Sequence, residues 1–385
     1  MEQESTFNIP VNDTVTEIIP GMREQGKAVK KLYVESDYAP CHALMVGNPS
    51  EIIVPDPRTW EFGNLVRYET EFMKKFWWAH GGKNMKDVDS KLYDQMAKES
   101  DALANAYRQA GVTVVRNETG HTPPEVANYT YPWSRQKNMS LFGQSAGEVI
   151  GHAFVQMWET SISWTEFVVR EAMMEIFNND PEAIWLTMPL PYPIATQKSP
   201  GPVFSPGDPK IFDKLVVCGI GVGDPSHIED RSKPRTSCDE IGVNILKRML
   251  EPMGWKVETV YFDASYGYHL DCVLGLFEEG LIAMAEGSIF TPLPKELQDW
   301  EVVPVSVEEV HDGCLNCVPL GNKRIVLLEG TATGEFLTKR GWEVIEVPYR
   351  TIYNHIGSGI HCSTMARHRE SNAQHYPSHR KTNRS

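Results

Sequence analysis

The stretch "GWKVETV" (residues 254–260) recurs twice further along the chain, as "DWEVVPV" (299–305) and "GWEVIEV" (341–347). Each copy joins a turn residue and a tryptophan to alternating apolar positions, a pattern typical of a short β-strand. A helical pattern precedes the first copy in "CDEIGVNILKRML" (238–250), and the same order, helix, glycine and strand, is found in residues 88–116. The sequence therefore predicts a helix-then-strand unit that is used repeatedly.

A second kind of segment lies between these units, and each example is a short apolar strand or hairpin broken by glycine or polar residues. There are about five, and a closed ring of such repeats leaves no unprotected sheet edge. This favours a single-domain α/β propeller coated with helices over an open doubly wound sheet. The segments are "ALMVGNPSEIIV" (43–54), "MSLFGQSAGEVIGH" (139–152), "LVVCGIGV" (215–222), "CVLGLFEEGLIAMAEG" (272–287) and "CVPLGNKRIVLLEG" (317–330).

Composition narrows the class of partner. The 385 residues carry a formal net charge of -14, which argues against nucleic acid or an anionic membrane surface, because both select basic patches. The seven cysteines are not spaced like a secreted disulfide scaffold, so we expect a cytoplasmic protein. The glycines of "GIGVGDP" (219–225) are not followed by a helix start, which argues against a dinucleotide or phosphate loop.

Three segments carry residues suited to chemistry. Cys362 lies in the small-residue turn "GSGIHCSTMARHR" (357–369), and Asp208 lies in the turn "FSPGDPKIF" (204–212). In "YGYHLDC" (266–272), His269 and Asp271 would face the same way on a strand, whereas Cys272 would point to the other face. A cysteine, a histidine and an acid from separate segments are the components of nucleophilic catalysis, although each taken alone is more often structural.

Several of these segments, in this order, resemble the guanidino-group-modifying enzymes of the pentein superfamily, most closely the glycine and inosamine-phosphate amidinotransferases. The resemblance covers residues 37–369. It is carried by the opening strand and loop, the acid-containing turn and following helix start, the His-x-Asp segment, an Asn-containing strand pair and the terminal His-Cys turn. These are "DYAPCHALMVGNPSEIIVP" (37–55), "FSPGD" (204–208) with "RTSCDEIG" (235–242), "YHLDCVLGLFEEGLIAMAEG" (268–287), "LNCVPLGNKRIVLLEG" (315–330) and "GSGIHCSTMARHR".

The resemblance implies a five-bladed propeller of ββαβ units, the pentein fold, spanning residues 31–369 between an N-terminal extension (1–30) and a disordered polar tail (370–385). It implies that Cys362 attacks a guanidinium carbon and that His269 moves the proton, without metal or organic cofactor. Asp208 is assigned to the catalytic group. A homodimer is what the family suggests. The remaining residues are assigned to the substrate: Asp271, Asn138, Ser205, His361 and Arg367.

Two positions depart from the family pattern. Ser205 stands where the family has an acid that orients the histidine, so either Asp208 or another acid replaces it, or a hydroxyl holds the histidine. Lys137 or Asn138 stands where the family has an aspartate that grips the guanidinium. Three functions remain open: amidino transfer from an arginine-like donor to an amine acceptor, hydrolysis of a guanidino group, and binding without catalysis.

Overall fold

The computed structural model describes residues 31–58, 69–116, 141–144, 146–157, 172–189 and 202–370. Within these ranges the strands form five small sheets, of which four have three strands and one has four. The strands are β1 Tyr33–Val34, β2 Cys41–Val46, β3 Thr113–Val115, β4 Gly147–Ile150, β5 Ala153–Gln156, β6 Ile184–Thr187, β7 Pro209–Phe212, β8 Leu215–Val222, β9 Lys256–Asp263, β10 Leu274–Glu278, β11 Leu281–Ala285, β12 Glu301–Val305, β13 Val318–Gly321, β14 Arg324–Leu328, β15 Glu343–Val347 and β16 Thr364–Arg369.

In the described ranges the chain also forms seven α-helices, numbered α1 to α7 here, and residues 172–177 form a further helical segment. Asp89 and Asp239 begin two of the helices, because their carboxylates accept hydrogen bonds from free backbone N–H groups of the first turn. The helices are α1 Glu71–His80, α2 Met85–Val88, α3 Ser90–Gln109, α4 Glu240–Leu250, α5 Val307–His311, α6 Ala332–Lys339 and α7 Arg350–Ile356.

The recurring tryptophan-containing stretches form β9, β12 and β15. Each is the third strand of its sheet and pairs in parallel with the second strand of an antiparallel hairpin. In the other two sheets, β3 and β6 likewise lie at an edge, where they pair in parallel with β2 and β5. The predicted α/β class and the repeated helix-then-strand unit are therefore confirmed.

In the first sheet, residues 43–54 contribute a strand and not a hairpin, the two possibilities that the sequence left open. β2 instead pairs antiparallel with β16 at the far end of the chain, with Val46 opposite Thr364 and Cys41 opposite Arg369. Glu370, which the sequence placed at the start of the polar tail, forms an ion pair with Lys31 at 2.8 Å. The rest of that tail, residues 371–385, and residues 1–30 lie outside the described part of the chain.

Apolar side chains are buried between the helices and the sheets. In α3, Met96, Leu103 and Tyr107 are fully buried. In α1, Trp77 is buried and its indole N–H donates to the backbone oxygen of His355 at 2.7 Å. None of the described helices is both long and apolar enough to cross a membrane.

Candidate active site

A cavity of about 210 Å³ opens beside the C-terminal turn that precedes β16. Backbone and side chains from six separate parts of the chain line it, including two thiols, two imidazoles and several aromatic rings. The lining includes the side chains of Glu69, Gln144, Ser205, Tyr266, Tyr268, His269, Cys272, His311, Asn316, Tyr353 and Cys362.

Cys362 lines this cavity and is held by the side chain of Asn316. The amide Nδ2 of Asn316 donates to Cys362 Sγ at 3.1 Å, while its Oδ1 accepts from the backbone N–H groups of His361 at 2.7 Å and Cys362 at 3.3 Å. A Cβ at Gly359 would lie 2.1 Å from Asn316 Oδ1, so only glycine allows this close approach. One asparagine therefore fixes both the turn and the sulfur.

The surroundings of Cys362 favour its thiolate. Interaction with the neighbouring Cys272 thiol lowers the pKa of Cys362 to about 6, with help from His269, although burial and the nearby Asp271 carboxylate act in the opposite direction. At neutral pH most of the sulfur is therefore ionised, as a nucleophilic cysteine requires.

His269 faces the same cavity, and a hydroxyl contacts its ring. Ser205 Oγ and His269 Nε2 lie 2.7 Å apart, so the position that carries an acid in the family contributes a hydroxyl here. Gly207 lies against the imidazole, and a Cβ there would lie 2.6 Å from His269 Cγ. The turn that begins at Ser205 therefore sets the position of the ring.

Asp208 acts behind His269. It is fully buried, its Oδ2 accepts from the Ser237 hydroxyl at 2.6 Å, and its Oδ1 accepts from the backbone N–H of Leu270 at 3.1 Å. Burial raises the pKa of Asp208 to about 7. The carboxyl thus fixes the backbone that follows His269, and no hydrogen bond to the imidazole is among its contacts with the described residues.

Asp271 is buried and lies next to the nucleophile. Its Oδ2 is 3.6 Å from Cys362 Sγ and 2.9 Å from His361 Nδ1. Lys210 Nζ lies 3.1 Å from His361 Nε2, and because an ammonium only donates, we assign the ring proton to Nδ1, which donates to Asp271. Burial opposes ionisation, but the His361 bond and the charge of Lys210 hold the pKa of Asp271 well below its usual range.

The strand predicted for residues 266–272 is wrong. His269 precedes a short 3-10 helix, Leu270–Cys272, so successive side chains do not alternate across a sheet. Cys272 consequently faces the cavity rather than the opposite side, and its Sγ lies 3.3 Å from Asp271 Oδ1.

Three of the residues assigned to the substrate, Arg367, His361 and Asp271, do not line the cavity, although Asp271 lies directly beside the Cys362 sulfur. Arg367 is 2% exposed and donates through Nη2 to the backbone oxygen of Ala172 at 3.2 Å, so it supports packing between β16 and residues 172–177. His361 acts through Asp271 instead of lining the cavity. Asn138 and Lys137 lie outside the described residues.

The structure adds residues that the sequence did not single out. Gln144 lines the cavity, and its Nε2 donates to Glu148 Oε2 at 2.8 Å and to the backbone oxygen of Pro206 at 2.9 Å. Burial raises the pKa of Glu148 to about 8. Glu69 lies on another wall, where burial raises its pKa to about 7. No motif or periodicity marks these positions.

The donor atoms of Asp271, Cys272 and Cys362 lie within 4.8 Å of one another. Among the described residues, these three side chains form the cluster of potential metal ligands that is compact enough to hold a metal ion. It is also the group that surrounds the nucleophile.

No protein-family model and no curated protein matches the sequence. Solved structures do match. SxtG, an amidinotransferase of Microseira wollei in saxitoxin biosynthesis, is similar with a TM-score of 0.68 and 16% identity, over 90% of this chain and 99% of that one. StrB1, the inosamine-phosphate amidinotransferase of Streptomyces griseus, gives 0.66 and 17%, over 88% and 97%.

Hydrolases share the same architecture. The N-terminal domain of ArgZ, a cyanobacterial arginine dihydrolase, matches with a TM-score of 0.55 and 14% identity, over 85% of this chain and 97% of that one. At these identities the likeness shows the fold alone: the chain shares an α/β fold, with five small sheets in its described part, with the two amidinotransferases and the dihydrolase.

Proposed function

We propose that the protein is an amidinotransferase that carries the amidino group on Cys362. The observation that carries this proposal is the position of the Cys362 sulfur, 3.6 Å from the Asp271 carboxylate and in one cavity with His269. An ionised thiol beside a buried carboxylate forms a doubly anionic site, which a guanidinium matches because it is cationic and its paired N–H groups fit a carboxylate.

In the first half-reaction, the Cys362 thiolate attacks the guanidinium carbon and forms a C–S bond. The C–N bond to the departing amine then breaks, and His269 supplies the proton that this amine needs to leave. Asp271 holds the nitrogens that stay on the carbon. The product is an amidino group attached to the Cys362 sulfur, together with a free amine.

In the second half-reaction, an acceptor amine attacks the amidino carbon while His269 takes up the amine proton. The C–S bond breaks and the thiolate is restored. Ser205 orients the imidazole in both halves, and Asp208 fixes the backbone behind it. Asn316 donates to the sulfur whenever it is the leaving group, which favours its departure as thiolate.

The charge of the cavity supports a cationic substrate. Glu69 is an acidic group on its wall, and neither lysine nor arginine is among its described lining residues. Tyr266, Tyr268 and Tyr353 supply aromatic surface of the kind that attracts cations. Arginine-like guanidines and protonated amines both fit this lining.

We infer further that the five sheets close into a five-bladed propeller with the cavity at one end of its centre. Contacts between sheets support this: β4 touches β1 and β16, β13 touches β2 and β10, and the 3-10 helix before β10 touches β7 and β8. The pairing of β2 with β16 would then join the ends of the chain in one blade.

Hydrolysis is the second candidate, because a similar structure is that of an arginine dihydrolase and attack of the Cys362 sulfur on the guanidinium carbon would be common to both reactions. In hydrolysis the first C–N bond to break would release ammonia instead of the amine, and water would then displace the sulfur. The test is turnover of L-arginine and agmatine by the full chain, with and without a panel of primary amines, against Cys362→Ala. Amine-dependent release of ornithine or putrescine supports transfer. Amine-independent release of ammonia supports hydrolysis. Equal background rates for both proteins, with no substrate consumed, would overturn both.

A further inference from the structure

In the proposed reaction Cys272 forms no bond to the substrate and acts only on the pKa of Cys362, yet its thiol lies in the same cavity as the nucleophile. We propose that Cys272 is a resolving thiol, which captures Cys362 in an intramolecular disulfide when a hydroperoxide oxidises the nucleophile. The pair would be a reversible oxidation site, and its formation does not depend on which substrate the cavity takes.

The two sulfurs already share their partners. Asn316 Nδ2 lies 3.1 Å from Cys362 Sγ and 3.6 Å from Cys272 Sγ, and the Asp271 carboxylate contacts the two sulfurs at 3.6 Å and 3.3 Å. The sulfurs lie within 4.8 Å of each other. An S–S bond is about 2.0 Å long, so the two sulfurs have to turn toward each other when the disulfide forms.

The two cysteines differ in the way that a sensing pair requires. Cys362 is the thiolate and is thus the sulfur that reacts first with peroxide. The hydrogen bond with Cys362 and burial raise the pKa of Cys272 well above its ordinary value. Oxidation of Cys362 removes the negative charge that favours a protonated Cys272. The Cys272 thiol therefore loses its proton more easily at the step in which its sulfur must attack.

The chemistry balances in two steps. The Cys362 thiolate attacks the peroxide oxygen, the O–O bond breaks, and Cys362 becomes a sulfenic acid as the peroxide is reduced to water or an alcohol. The Cys272 sulfur then attacks the sulfenic sulfur and forms the S–S bond, the S–O bond breaks, and the thiol proton of Cys272 leaves with the sulfenic oxygen as water. Two thiols lose two electrons, and the hydroperoxide gains them.

The other five cysteines make a useful contrast. All seven are free in the structure, and Cys317 is buried beside Asn316 in sequence, but it is not part of the cluster formed by Asp271, Cys272 and Cys362. Burial raises the pKa of Cys317 to about 12. Cys317→Ala is therefore a matched control for Cys272→Ala.

The experiment exposes the reduced full chain to increasing hydrogen peroxide, alkylates the remaining thiols in denaturant, and measures intact mass and non-reduced peptide masses. We expect the wild type and Cys317→Ala to lose two alkylatable thiols and to yield one peptide joining Cys272 to Cys362, which dithiothreitol removes. In Cys272→Ala we expect a dimedone-reactive sulfenic acid on Cys362, followed by irreversible sulfinic acid several-fold faster than in the wild type.

Three results would overturn the proposal, and none of them depends on enzymatic activity. They are sulfinic acid on wild-type Cys362 without the joined peptide, a disulfide to another cysteine, and no oxidation at peroxide levels that oxidise free cysteine. If Cys272→Ala does not fold, the wild-type peptide map decides the matter alone.

Discussion

Asn316→Ala removes the side chain that fixes the nucleophilic turn, and its effects follow from four contacts. Two backbone N–H groups, those of His361 and Cys362, lose their acceptor in a buried position. An unsatisfied buried donor costs about 1–3 kcal/mol, so we expect the free energy of unfolding to fall by about 2–6 kcal/mol.

The same change removes the amide that donates to the Cys362 sulfur. A hydrogen bond to a charged group contributes about 1.5–3 kcal/mol, and one pKa unit corresponds to about 1.4 kcal/mol. We therefore expect the pKa of Cys362 to rise from about 6 to about 7 or 8. Urea unfolding measures the first effect, and the pH dependence of alkylation by iodoacetamide measures the second.

Asn316→Asp separates the two effects, because a carboxylate still accepts from both N–H groups but places a negative charge against the sulfur. We expect smaller destabilisation than in Asn316→Ala and an even higher thiol pKa. Asn354→Ala, at an exposed position of the same cavity, is the control. Wild-type stability together with a wild-type alkylation profile in Asn316→Ala would show that Asn316 neither holds the turn nor stabilises the thiolate.

Three further changes test the charges around the cavity. Ser205→Glu should move the acidic limb of the kcat–pH profile to higher pH, because a carboxylate beside His269 favours the charged imidazolium; an unmoved limb would contradict the contact. Guanidine binding should tighten as pH rises through about 7, where Glu69 ionises, and calorimetry should find this dependence lost in Glu69→Gln. Folding raises the pKa of Glu148 from 4.5 to about 8, so the neutral carboxyl group favours the folded state. The wild type should therefore lose a few kcal/mol of stability relative to Glu148→Gln as the pH rises from about 4.5 to 8. Parallel curves of stability against pH for the two proteins would contradict this.

The repeated strands could be predicted because their information is local. The alternation in "GWKVETV" and its two relatives reflects one buried face of each strand, and β9, β12 and β15 form where it occurs. The pairing of β2 with β16 could not be predicted in this way, since its partners lie at opposite ends of the chain. From the sequence alone, residues 43–54 fit either a strand or a hairpin, because the strand that pairs with them is not known.

The residues of the candidate site could also be predicted only in part. Cys362 and His269 were predicted from residue type and turn context, and the structure brings them to one cavity. Cys272 was assigned to the wrong face because strand alternation was applied to a 3-10 helix. Asn316 lies in one of the segments that carry the resemblance, but its role was not predicted: it comes from two backbone N–H groups about 45 residues further along, which only the folded chain brings near.

In the proposed reaction, Cys362 carries the amidino group. Intact mass spectrometry of the full chain after incubation with L-arginine or agmatine, quenched in acid, tests it directly, with Cys362→Ala and Cys317→Ala as controls. We predict a gain of one amidino unit on the wild type and Cys317→Ala, located on the peptide that contains Cys362 and discharged by an acceptor amine. Substrate consumption with the amidino unit on another residue, or undiminished turnover by Cys362→Ala, would contradict the claim.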